Sequence, residues 1–308
     1  MLKKSTQSGM RHWLAGAALA LVPLFGQAAE VKHAQGSTQV PDKPAKTVVM
    51  DLAVLDTLNT LGVEAIGVPA AVHWPKPLAK YADKNYAKVG SMFEPDYEAI
   101  NRLQPDVIFV AGRSAPKYGD LSRMAPTVDL TVDPKDLVGS VERNTNTLAG
   151  IYGRQDVADE KLKALKASIA SLNERAGKAG TGLIILTTGG KMSAYGPGSR
   201  FGVIHDAFGV KPAVTDLKTS NHGQAVSFEF IAQTDPDWLF VIDRDAAIGR
   251  EGTSAQQLLD NDLVRGTKAW KSKHVIYLDG PNWYSLGAAG LTALQESVNE
   301  IDAAVTKQ

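Results

Sequence analysis

The sequence predicts an α/β protein of two similar lobes with mainly parallel central sheets, joined by one long connecting helix. Three observations carry this. The stretch Ser227–Arg244 (SFEFIAQTDPDWLFVIDR) echoes Asp96–Arg113 (DYEAINRLQPDVIFVAGR) without a gap, pairing Glu98 with Glu229, Ile100 with Ile231, Pro105 with Pro236, Asp106 with Asp237, Phe109 with Phe240, Val110 with Val241 and Arg113 with Arg244. Each copy reads as a short helix stopped before Pro-Asp, because proline disfavours the α region in the residue before it, and then a buried strand of β-branched and aromatic residues. Between the copies lies the longest periodic segment, Asp156–Ala176, with apolar residues at 158, 162, 165, 169, 172 and 176. That spacing is one face of a helix, and a rod of this length between two lobes holds them at a nearly fixed separation.

Taken in order, the chain opens with Lys3, Lys4 and Arg11, an apolar run Trp13–Phe25, and the small residues around Gly26-Gln27-Ala28-Ala29. These are the three regions of a secretory signal peptide, and the apolar run is shorter than the ~20 residues of a bilayer span. Cleavage after Ala28 is expected, with Ala29 as the alternative. Residues 29–153 form the first lobe. A polar lead-in to Lys46 is followed by a strand at Val48–Met50, a helix at Asp51–Leu61 closed by Gly62, a strand at Ile66–Val68, the first copy of the repeat, and a helix ending at Gly153. Residues 154–178 are the connecting helix, with Asp156 as its N-cap and Gly177 as its stop. Residues 179–308 form the second lobe: a strand at Leu183–Thr187, a glycine-rich loop through Tyr195–Arg200, a short helix at Val203–Phe208, a polar loop containing Asn221-His222-Gly223, the second copy, a strand at Val275–Leu278, a loop Pro281-Asn282-Trp283-Tyr284, and a final helix Ala288–Val305.

Composition bounds the function. Without the leader the chain has 30 basic and 33 acidic residues, so no global positive field argues for nucleic acid. There is no cysteine, which excludes disulfides, thiolate metal sites and a cysteine nucleophile. It also leaves no lipid-attachment cysteine at the cleavage site, so a freely soluble periplasmic protein is expected.

The candidate chemistry sits in loops beyond strand ends, where open α/β sheets bind ligands. Arg113, Arg200 and Arg244 occupy such loops, two of them at equivalent repeat positions, and three guanidiniums placed this way favour an anion. Arg250 lies close to Arg244 and offers the same group. The Tyr195–Arg200 loop matches neither the dinucleotide fingerprint nor the P-loop and instead gives a ligand close approach to backbone. His222 and Tyr284 together offer an imidazole and a phenol, ligands that suit ferric iron; alone, His222 is an ordinary loop histidine, and His205 falls within a helical pattern. No nucleophile–base constellation is present. Glu98 and Glu229 form a matched pair of acids, one on each lobe.

These residues resemble the helical-backbone (class III) periplasmic binding proteins of ABC importers, in the branch for ferric catecholate siderophores. The resemblance covers nearly all of the exported chain. Tyr195–Gly209 (YGPGSRFGVIHDAFG) resembles that branch's siderophore-binding signature, and the pattern beginning at Glu98 is shared by the whole class. The resemblance implies a non-catalytic, monomeric receptor without intrinsic cofactor. Arg113, Arg200 and Arg244 would contact catecholate oxygens, with the ligand packed against Trp283 and Tyr284. His222 and Tyr284 would bind Fe(III) directly when the siderophore is tetradentate. Glu98 and Glu229 would dock onto an inner-membrane ABC permease. A haem or other iron-chelate receptor is the alternative within binding proteins, and a periplasmic metal-dependent hydrolase using His222 is the alternative from another class.

Overall fold

The computed structural model describes residues 28–306 apart from residue 219. The expected signal segment, except for Ala28, lies outside the described residues.

The polar lead-in folds as an antiparallel hairpin of β1 (Ala29–His33) and β2 (Gly36–Val40). The first sheet has five strands: β3 (Thr47–Val49), β4 (Gly67–Val68), β5 (Ala87–Lys88), β6 (Val107–Val110) and β7 (Thr127–Asp129). Its order is β5-β4-β3-β6-β7, and every pairing is parallel. The chain winds outwards one way from β3 and the other way from β6. The switch point between them opens a crevice at the strands' carboxyl ends.

The second sheet is built from β8 (Thr181–Thr188), β9 (Lys191–Tyr195), β10 (Lys211–Pro212), β11 (Gln224–Val226), β12 (Trp238–Asp243) and β13 (Val275–Tyr277). β10, β8, β12 and β13 run parallel, while β9 and β11 add an antiparallel edge. β8 and β9 form a hairpin through Gly189-Gly190, both with positive φ (53° and 74°). A Gly-Gly pair between strands is a hairpin signal, so these two glycines form a tight turn separate from the Tyr195–Arg200 loop.

The sequence echo is a structural echo. Helices Tyr97–Leu103 and Phe228–Thr234 correspond residue for residue; Asp96 and Ser227 cap their starts, and Gln104 and Asp235 end them in the left-handed conformation. The Pro-Asp that follows has a second purpose. Asp106 Oδ2 accepts the Ala45 and Lys46 amides at 2.9 and 2.8 Å, and Asp237 Oδ2 accepts the Thr181 amide at 2.8 Å. Each aspartate thereby fastens its own strand to the start of the neighbouring one.

The long helix runs Gln155–Ala176, 22 residues or about 33 Å. Asp156 lies in its first turn and is not its cap; the cap position is Arg154, which makes no side-chain bond. Ala158 packs into the first lobe's core, and Leu162, Leu165 and Leu172 pack into the second's. The final helix, Leu291–Thr306, also spans both lobes. Its first amides are received by the first lobe: Leu291 N–H by Thr57 Oγ1 at 3.2 Å and Ala293 N–H by Asp56 Oδ2 at 3.0 Å. One long helix therefore connects the lobes, as expected, and the final helix adds packing across both.

Candidate functional site

Arg113 lies just past β6, after Gly112 takes a φ of 48°. Its guanidinium reaches across to the second lobe. Nη1 donates to the Ser285 carbonyl at 2.9 Å and Nη2 to the Tyr284 carbonyl at 2.8 Å. Arg244, the equivalent residue past β12, donates from Nε to the Tyr284 phenol oxygen at 2.7 Å and from Nη1 to Thr188 Oγ1 at 3.1 Å. Arg200 Nη2 also donates to the Tyr284 carbonyl. The three guanidinium carbons stand 5.4, 4.5 and 5.4 Å from the Tyr284 ring centre for Arg113, Arg200 and Arg244 respectively. Two lobes thus deliver three cations to one side chain.

The Arg200 loop is rigid by construction. Ser199 Oγ donates to the Gly196 carbonyl at 2.5 Å, and Asp206 Oδ2 accepts the Gly198 amide at 2.7 Å. Gly202 is packed so closely that a Cβ would fall 2.9 Å from Gly196 O. The segment expected as a loop at 281–284 is a π-helical turn, Pro281–Leu286. Such turns place neighbouring side chains on unusual headings.

The heading explains a correction. Trp283 does not line the cleft: it is fully buried in the second lobe's core, and its indole N–H donates to Glu300 Oε2 at 2.7 Å. Only Tyr284, the next residue, points to the arginines. His222 lies on an exposed turn whose Gly223 packs against the Tyr195 ring. That places His222 beside the Arg200 loop, and among the described residues its only hydrogen bond is from its backbone N–H, to Ser220 Oγ at 3.3 Å. Also among the described residues, no group of three or more His, Cys, Asp or Glu side chains is placed to hold a metal ion. His205 is a structural histidine, bonded through Nδ1 to the Val210 carbonyl at 2.8 Å.

The site is strongly cationic. Of the three arginines only Arg244 has a carboxylate in ion-pair range among the described residues, Asp245 at 3.6 Å, and Arg250 shares that carboxylate at 3.7 Å. Asp51, which feels the Arg113 charge, has its pKa raised by burial and is a weak counter-charge. Burial lowers the Arg200 pKa, and the Arg113 charge adds to it, so Arg200 lacks a compensating anion. Burial opposes ionisation of the Tyr284 phenol, yet the Arg244 hydrogen bond and the three positive charges outweigh it and hold the phenol below its ordinary value. Three guanidiniums with one paired carboxylate among the described residues leave an excess of positive charge around Tyr284.

Three further side chains at the site belong to no motif: Met92, whose sulfur is 3.9 Å from Arg113 Nη1; Phe93, over which Arg113 lies at 6.0 Å; and Thr188. The available sign for Phe93 is an aromatic inside the Gly90–Pro95 turn, just before the first copy of the repeat. Glu98 and Glu229 sit at the second position of the two equivalent helices. Glu98 is 91% exposed and only 3.9 Å from Arg102, and Glu229 is exposed. Neither contacts the arginine cluster.

Comparison with known proteins places this geometry in context. A family model described as periplasmic binding protein matches residues 48–281. The petrobactin-binding protein YclQ of Bacillus subtilis (strain 168) is 43% identical over 276 residues, covering 88% of this chain and 86% of its own length. The ferric-anguibactin-binding protein FatB of Vibrio anguillarum is 32% identical over 280 residues, covering 88% and 85% respectively. The crystal structure of YclQ superposes with a TM-score of 0.88 at 41% identity, over 91% of this chain and 99% of that one. That of the periplasmic catecholate-siderophore binding protein VctP from Vibrio cholerae superposes with a TM-score of 0.85 at 30% identity, over 90% and 99%.

Proposed function

The chain belongs to the periplasmic binding protein family, and from that premise we propose that it is the substrate-binding component of an iron-siderophore ABC importer. It takes an anionic Fe(III)-catecholate complex in the cleft between its lobes and delivers it to an inner-membrane permease. The observation that carries this is the convergence of Arg113, Arg200 and Arg244 on Tyr284, with one paired carboxylate among them. Deprotonated catecholate oxygens are the anions that such forked donors hold best. Trp283 drops out of the ligand contacts, and the aromatic contact falls to Tyr284. Where the siderophore leaves coordination positions open, the phenolate of Tyr284 supplies a hard oxygen ligand and His222 a nitrogen. The iron is cargo, and the protein performs no chemistry on it.

The remaining parts of the proposal follow from placement. Glu98 and Glu229 stand exposed at equivalent positions of the two lobes, which suits a partner with two basic pockets. The sequence has no cysteine to carry a lipid, which supports a protein free in the periplasm; we further propose that it acts as a monomer.

The direct test is titration of the purified exported chain with an Fe(III) bis- or tris-catecholate, followed by tryptophan fluorescence. Quenching at micromolar ligand is expected; no quenching, with haem bound instead, would overturn the reading. For the partner, combining Glu98→Ala with Glu229→Ala should abolish iron uptake in cells and leave the titration unchanged. Normal uptake by that variant would remove the docking role.

A further inference from the structure

The four exposed large apolar side chains among the described residues are Val72, Phe93, Tyr97 and Leu263. Only Phe93 is in cation–π range of one of the three arginines, with the Arg113 guanidinium carbon 6.0 Å from its ring centre. Phe93 is nonetheless 57% exposed. An aromatic side chain left in water normally reflects a mobile tip, yet here the backbone beneath it is firmly held. Gly90 adopts a φ of 94°, and a Cβ there would fall 2.3 Å from Glu94 O, so the turn closes tightly on glycine alone. Ser91 Oγ accepts the Phe93 and Glu94 amides at 3.2 and 3.0 Å, and the Ser91 amide donates back to Glu94 O at 2.9 Å. The Glu94 carboxylate is pinned to Lys117 at 3.0 Å. Met92 packs onto the first lobe's core from the same turn.

We infer that Phe93 is a specificity-determining wall of the cleft, a pre-ordered aromatic surface that stacks on a flat ring of the bound ligand. This rests on the ferric-catecholate reading and adds to it. The arginines recognise negative charge, which any anionic iron chelate carries. Phe93 recognises an aromatic ring, which a catecholate chelate carries and a citrate chelate does not. The Ser91 turn already holds the backbone that carries the ring, so contact with a ligand ring costs only the rotamer freedom of the side chain itself. It is also the first lobe's counterpart to Tyr284, which faces the same guanidinium from the second lobe at 5.4 Å.

The test compares Phe93→Ala, Phe93→Leu and Phe93→Trp with the parent protein, each first shown to be folded by its thermal transition. Two probes are used: Fe(III) bis-catecholate, and Fe(III)-citrate as an anionic chelate without a ring. Phe93→Ala should weaken bis-catecholate binding on the order of ten-fold, Phe93→Leu should recover part of it, and Phe93→Trp should restore it. Affinity for the citrate complex should stay at the parent value in all three. Parent-like catecholate binding by Phe93→Ala, or equal loss with both probes, overturns the wall and leaves the function standing. A parent protein that binds no ferric catecholate overturns both, so the two failures are told apart by the parent titration.

Discussion

Replacing Asp56 with asparagine should leave stability almost unchanged at about pH 4 and raise it markedly at about pH 8. Asp56 lies on the first-lobe helix Leu52–Thr60 and is fully buried. Oδ2 accepts the Ala293 amide at 3.0 Å and so caps the final helix from the other lobe, while Oδ1 has no hydrogen-bond partner among the described residues. The fit is close: a Cβ on Gly290 would fall 2.2 Å from Oδ2. Burial pushes the carboxyl up from 3.8 to about 7; the Ala293 and Thr292 amides lower it in part, and Glu296 raises it further. The sign follows from proton counting. Between those two values the unfolded chain has released the proton and the native protein keeps it, so stability falls as pH rises. The slope is ~1.4 kcal/mol per pH unit and the whole window is worth about 4 kcal/mol. Asparagine keeps an acceptor for the Ala293 amide and never ionises, so it escapes the loss. Urea unfolding of both proteins across this range gives the result as a difference, in which other titrating groups largely cancel. A difference that stays flat from about pH 4 to about pH 8 would show that Asp56 ionises as it does in the unfolded chain and would refute the reasoning.

Two further outcomes are expected. Arg244→Gln removes the hydrogen bond and one of the three charges that hold the Tyr284 phenol down, so the tyrosinate absorption of that residue should move to higher pH; Tyr284→Phe identifies its share of the titration, and an unmoved curve would contradict the geometry. Leu172→Ala empties a fully buried position where the long helix meets the second lobe's core and should cost about 2–5 kcal/mol in chemical denaturation, without altering ligand affinity.

What the sequence made legible is what period and punctuation can carry. The two repeat units, the long helix and the strand-end arginines are all written as local patterns, and local patterns fix local structure. Asp156 is not the cap because the helix already begins at Gln155, which puts Arg154, two residues earlier, at the boundary. The Gly189-Gly190 hairpin went unrecognised because the apolar run before it suggests a buried parallel strand as readily as one arm of a hairpin. Trp283 was misplaced for a deeper reason. Pro281–Tyr284 reads in the sequence as a loop, in which Trp283 and Tyr284 could face the same way, whereas the π-helical turn Pro281–Leu286 sends one side chain to Glu300 and the core and the other to the cleft. Phe93 has only its place in the Gly90–Pro95 turn to mark it, because exposure of an aromatic has no signature in a single sequence.

The repeat also shows where equivalence in sequence stops governing function. Arg113 and Arg244 occupy the same position in the same unit, yet they meet Tyr284 differently. Arg113 commits two of its five N–H donors to the main-chain carbonyls of Tyr284 and Ser285 across the lobes. Arg244 takes the phenol oxygen from within its own lobe. The first arginine therefore joins the lobes as well as charging the cleft, and its loss should disturb the setting of the turn. Loss of the second should leave the turn in place and change mainly the phenol's acidity. The two positions look alike only until the Pro281–Leu286 turn is placed between them, and that turn, which occurs once, sets the difference.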